Sequence, residues 1–181
     1  MDFDDNDDME ERELHSYDDE GEEWKTKPMR DAAMPLLKLA QQIFKTVMAI
    51  VETIPEEDTG DEHMSEHRSW MMENAMKLGV KISGAMATGD YILMQENAVV
   101  IKLAARELLT QTSGLKMFGY PNQDYLDALR SEIEEFKKLF VKWVRTFVRE
   151  EPLWPDGWGL FYTEDDVARW NNQNLNDQVN E

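Results

Sequence analysis

Residues 115–136 read LKMFGYPNQDYLDALRSEIEEF. Leu115 closes an apolar repeat that reaches back to Tyr91, Gly119 is suited to a left-handed residue past a helix end, Pro121 cannot continue a helix, and Asn122 is a good N-cap for the next one. The stretch therefore predicts a tight corner between two helices. The second of those helices carries apolar side chains at Leu126, Leu129, Ile133, Phe136, Phe140, Trp143 and Phe147, spaced three and four apart. That spacing keeps one stripe on one helix face.

The same period recurs upstream. Over residues 31–54 it falls on Leu36, Ala40, Ile43, Val47, Ile50 and Ile54, and over 64–85 on Met64, Met71, Ala75, Leu78, Ile82 and Ala85. Over 91–115 it falls on Tyr91, Met94, Ala98, Ile101, Ala105, Leu108, Thr112 and Leu115, with Thr112 the one polar exception. Pro55 and Gly60 stop the first helix, and Gly84 and Gly89 weaken the second before the third begins. Short connections favour antiparallel neighbours. The predicted fold is all-α, an antiparallel up-down-up-down four-helix bundle over residues 28–151.

A chain of 181 residues with 41% hydrophobic content supports one core of ordinary size. The net charge of −19 is unevenly placed: residues 1–23 hold 13 acids against the single base Arg12, whereas residues 30–150 hold 18 acids and 15 bases. A like-charge run poor in apolar residues cannot offset its ordering entropy, so residues 1–27 are expected to form a disordered acidic arm. There are no cysteines, hence no disulfides, thiolate metal sites or thiol nucleophiles. The sequence shows no unbroken apolar run of about 18 residues, and its first residues are acidic where a targeting peptide would be basic. A soluble, cytoplasmic chain with no membrane partner is the expectation.

Enzymatic motifs are weak or absent. His63, Glu66 and His67 fit the H-x-x-E-H zinc pattern, but the chain is short for such proteases and offers no identifiable third ligand; acids at a helix entry explain the cluster on dipole grounds. Neither His63, His67 nor His15 has a Glu three places before it, as a di-iron bundle requires, and phosphate-loop, dinucleotide and nucleophile-elbow glycine patterns are missing. No catalytic residue, metal ligand or cofactor is assigned, and the chain is read as a non-enzyme.

The cations form the best functional pattern. Lys138, Lys142, Arg145 and Arg149 repeat at four, three and four, beside Lys137; Lys77 and Lys81 pair on the second helix, and Lys102 and Arg106 on the third. Such a stripe suits phosphates or an acidic protein, and the tethered acidic arm would compete for it at high effective concentration. The plainer reading is an ordinary solvated face that complements helix dipoles. Met71, Met72, Met76, Met86, Met94 and Met117 are expected on or near inner faces, with an adaptable oligomer interface as the alternative.

Beyond Pro152 and Pro155, residues 152–172 form an aromatic extension in which Thr163 and Asp166 are expected to cap a short helix toward Trp170. Trp154, Trp158, Phe161 and Tyr162 are its candidate protein-docking residues, although packing on the parent chain is favoured because an exposed aromatic patch harms solubility. Residues 173–181 are expected to be a disordered tail.

Three features carry a resemblance: the Ile54-Pro55 ending of the first helix, the small-residue SGAMATG at 83–89, and the GY…YLDAL corner at 119–129. Over residues 35–148 the chain resembles the four-helix-bundle family of 23S ribosomal RNA intervening-sequence proteins and of the accessory variability determinant proteins of diversity-generating retroelements. The resemblance implies a homo-oligomer, a pentamer in form, without enzymatic activity. For the retroelement branch it implies an accessory protein that binds a reverse transcriptase and its RNA. The alternative is a structural or protein-docking bundle with no nucleic-acid binding.

Overall fold

The structure is a computed structural model that describes residues 23–54, 62–149, 153 and 157–179. Residues 1–22 of the acidic arm expected over 1–27 lie outside the described residues, as do residues 55–61 and Trp154. The described chain is helical, with no strand: α1 spans Glu23–Glu52, α2 Glu62–Ala87, α3 Tyr91–Met117, α4 Gln123–Val144 and α5 Glu164–Val179. Among the first four, α1 packs on α2 and α4, and α3 packs on α2 and, less extensively, on α4.

The apolar stripes read from the sequence meet in one core. Leu36, Ile43, Val47 and Ile50 of α1, Met71, Leu78 and Ile82 of α2, Ile101 and Leu108 of α3, and Leu129 and Ile133 of α4 are all fully buried. Each such side chain stabilises the fold by about 1.5–3 kcal/mol relative to exposure. An 18-residue window of α1 is apolar enough to cross a bilayer by length and composition, although Lys38 and Lys45 interrupt its runs. Its apolar face is the face buried in the core.

The corner at 115–122 has a defined geometry. Gly119 adopts φ +78°, the Gly119 amide donates to the Lys116 carbonyl at 3.2 Å, and the Tyr120 amide donates to the Leu115 carbonyl at 2.9 Å. These two bonds are the Schellman pattern that satisfies the last carbonyls of a helix. Tyr120 is then buried, with its hydroxyl 2.5 Å from Thr53 Oγ1 and 3.4 Å from the Ile50 carbonyl at the end of α1. Asn122 stands at the N-cap position of α4 but makes no side-chain cap bond; Gln123 instead donates to the Tyr120 carbonyl. Upstream, Asp90 caps α3 by accepting from the Leu93 amide at 2.9 Å.

Several boundaries differ from the sequence reading. Helix α1 begins at Glu23 and holds Pro28 and Pro35 inside it, so the helix reaches into the segment expected to be disordered. Helix α2 runs through Gly84 to Ala87, because one glycine lowers helix stability without ending the helix. Helix α4 stops at Val144 in a turn at Arg145 and Thr146, although Phe147 still packs edge-on against Trp143 at 4.7 Å. The apolar repeat thus outlasts the helix. Helix α5 continues to Val179, through much of the expected tail, since propagating a capped helix fixes one residue per hydrogen bond.

Thr112, the polar exception in the α3 stripe, is buried and doubly bonded. It donates to the Leu109 carbonyl at 2.8 Å and accepts from Arg130 of α4 at 2.7 Å. The same guanidinium nitrogen reaches Ser113 Oγ at 3.1 Å, so Arg130 ties α4 to the last turns of α3.

Candidate docking surfaces

Helices α1 and α4 segregate apolar from charged side chains sharply, whereas α2 and α3 do so poorly. The reason is visible outside the core: Met76 and Val80 stand one turn apart on α2, Val99 and Leu103 one turn apart on α3, and all four are exposed by 42–64%. Leu93, near the start of α3, is exposed as well. Helices that carry apolar residues on both faces generally bury both. Of the methionines expected to face inward, Met71 and Met94 are buried and Met72 and Met86 partly so, while Met76 and Met117 are exposed.

The cations do not form one stripe. Arg149 lies beyond the end of α4 and donates through Nη2 to both carboxylate oxygens of Asp166, at 2.7 Å each. Lys137 pairs with Glu134 at 2.6 Å, Lys138 with Glu135 at 2.5 Å and Lys77 with Glu73 at 2.7 Å. Glu135 raises the Lys138 pKa by hydrogen bonding and by its charge. Lys81, Lys102, Arg106, Lys142 and Arg145 make no ion pair among the described residues, and all but the half-buried Lys81 are exposed.

The C-terminal extension is built around Asp166. The Thr163 amide and hydroxyl both donate to Asp166 Oδ2, at 2.6 and 2.8 Å, forming a capping box at the start of α5. With Arg149 on the same carboxylate, Asp166 is buried, and its pKa falls from 3.8 to about 2, chiefly through the Thr163 backbone bond and then the Arg149 bond. Upstream, Gly157 (φ +83°), Gly159 (φ +77°) and Phe161 (φ +65°) wind the chain tightly, and the Tyr162 hydroxyl oxygen accepts from the Gly157 and Gly159 amides at 3.1 and 3.0 Å. Tyr162 is thereby committed to its own loop. Trp158 is 83% exposed and Leu160 and Phe161 are also exposed, contrary to the packing expected of the aromatics; Trp170 is half-buried.

The zinc pattern is not assembled among the described side chains. His63 lies outside them, and His67 packs its ring against Trp70 and Phe118 at centroid distances of 5.9 and 5.8 Å. No three potential metal-ligating side chains come together among the described residues. The sequence reading did not single out Arg130, and it missed the Arg149–Asp166 pair, whose partners are 17 residues apart and on no common helix. No family model matches the chain, nor does any curated protein or solved structure.

Proposed function

We propose that this chain is a non-enzymatic adaptor, an up-down-up-down four-helix bundle that assembles with copies of itself through the outer face of α2 and α3. The observation that carries this reading is the exposure of Met76, Val80, Val99 and Leu103 on two adjacent helices. Exposed apolar residues in that number suit a partner surface better than water, and methionine adapts to such a partner at small cost. The corner that anchors Tyr120 on α1 and the three-residue link between α2 and α3 support the antiparallel arrangement.

A second reading rests on Lys102, Arg106, Lys142 and Arg145, which remain available to a phosphate-bearing partner. In its narrower form the protein is a retroelement accessory subunit that holds a reverse transcriptase and RNA, with five copies in the assembly. That form draws on the likeness of residues 35–148 described above. Internal pairing of Lys77, Lys137, Lys138 and Arg149 favours protein docking over RNA as the main role.

Sedimentation equilibrium tests the first reading. The full chain is expected to be oligomeric, and Val80→Lys with Leu103→Glu is expected to yield a monomer of unchanged helicity. A monomeric parent chain, or an unaffected oligomer in the variant, refutes assembly through this face. Fluorescence anisotropy with a structured RNA across a salt series tests the second, for which binding must weaken steeply as salt rises.

A further inference from the structure

The extension beyond α4 carries a second exposed apolar surface. Trp158, Leu160 and Phe161 are exposed by 83, 54 and 38%. Their loop is nevertheless well fixed: Gly157, Gly159 and Phe161 all take positive φ, and the Tyr162 hydroxyl closes the bend on the Gly157 and Gly159 amides. Just downstream, Asp166 accepts from Thr163 and from Arg149, which fastens the segment to the chain beyond α4. A bulky residue at positive φ is uncommon and strained. Ordering a loop so as to leave a tryptophan in water gains a lone chain nothing, whereas a preorganised aromatic anchor suits an interface.

The charges around the loop indicate which surface it meets. Residues 150–166 hold six acids and no base; Asp166 is taken up by Arg149, and Glu164 and Asp165 are exposed. The outer apolar residues of α2 and α3 lie in segments of the opposite sign: residues 76–81 and 99–106 hold Lys77, Lys81, Lys102 and Arg106 and no acid, with Glu73 and Glu107 just outside them. Lys77 pairs with Glu73, but Lys81, Lys102 and Arg106 make no ion pair among the described residues. We infer that the Trp158–Phe161 loop of one copy docks on the outer face of α2 and α3 of the next. This rests on the assembly reading above and adds the second half of its contact. Two α2–α3 faces set against each other would oppose the same cations, and two loops the same acids, which is unfavourable. Only the unlike pairing brings apolar to apolar and acid to base. Burial of the aromatic side chains supplies the affinity, and the charges select the surface. Such a contact is head-to-tail, so it closes into a ring or continues as a filament.

The chain has no cysteine, so an introduced one is a unique attachment point. Leu160→Cys and Leu103→Cys chains, otherwise whole, are mixed, allowed to exchange and treated with a short bismaleimide; peptide mass spectrometry reads which positions join. Both residues are exposed, so neither change disturbs the core. A link between positions 160 and 103 is then necessarily between chains. Such links are expected to outnumber like-with-like links about tenfold or more. Trp158→Ala is expected to weaken association in sedimentation equilibrium about tenfold or more, with helicity unchanged. Links that join position 103 to position 103, from an oligomer that Trp158→Ala leaves intact, overturn this inference while supporting assembly through α2 and α3. Links confined to position 160 overturn both, because the loop alone would then hold the copies together. A monomeric parent chain likewise overturns both.

Discussion

Tyr120 and Gly119 show how much one corner determines. Gly119→Ala places a Cβ at φ +78° and is expected to lower unfolding free energy by about 1–2 kcal/mol, while Tyr120→Phe, which keeps the ring and removes the bond to Thr53, is expected to cost about 0.5–1.5 kcal/mol; urea unfolding measures both. Asp166 adds a pH dependence. Its carboxylate is stabilised when ionised in the folded chain, so the docking of α5 is fully supported above pH 3.8 and is lost as pH falls through about 2. Amide protection factors across α5, which remove the intrinsic pH dependence of exchange, should fall over that window, and Asp166→Asn should give low protection at neutral pH with no further change on acidification. Gly119 was legible in the sequence because φ preference is a local property, whereas the burial of Tyr120, which lies in none of the apolar repeats, was not. Asn122 stands at the N-cap position as read, but its side chain makes no cap bond, and Gln123 donates to the Tyr120 carbonyl.

At the scale of the element, period was a good guide to faces and a poor guide to ends. The apolar positions of α1 and α4 landed in the core as read, yet Phe147 prolonged the α4 repeat past its last helical residue, and Arg149, read as continuing the repeat of Lys138, Lys142 and Arg145, lies beyond the helix and pairs with Asp166. In α1 the opposite happened: the repeat was read over residues 31–54 only, yet the helix begins at Glu23 and holds Pro28 and Pro35, since packing over the core outweighs the hydrogen bond that Pro35 removes. Pro35 is exposed and interior to the helix. Pro35→Ala is therefore expected to stabilise the protein by about 1–3 kcal/mol, read as a higher urea midpoint with unchanged slope. Arg130→Met tests the tie between α3 and α4 and is expected to cost about 1–3 kcal/mol, because Thr112 keeps its buried position and loses a charged donor; Thr112→Val in the same background should recover part of it.

For the whole molecule, charge and assembly oppose one another. Copies that each carry −19 repel, so the proposed oligomer should be favoured by salt, and removal of residues 1–22, which leaves 26 acidic and 18 basic residues, should favour it at low salt. Sedimentation of both forms from about 0.01 to 1 M salt checks this, with the difference expected to vanish at the high end. The number of helices and the shared core were readable from one chain's periodicity. The outer apolar face was not separated from the inner one, since Met76 and Met71 look alike until the helix is placed. The pairing of α1 with α4 has one more consequence, for the living chain on the ribosome. The helix whose central window is apolar enough to span a bilayer is synthesised first, and one of its two partners last among the four long helices, with more than 90 residues between Glu52 and Val144. At roughly 5–20 residues per second, α1 waits about 5 to 20 seconds with part of its greasy side uncovered. Nascent-chain capture by chaperones should therefore peak before α4 emerges and fall once it has.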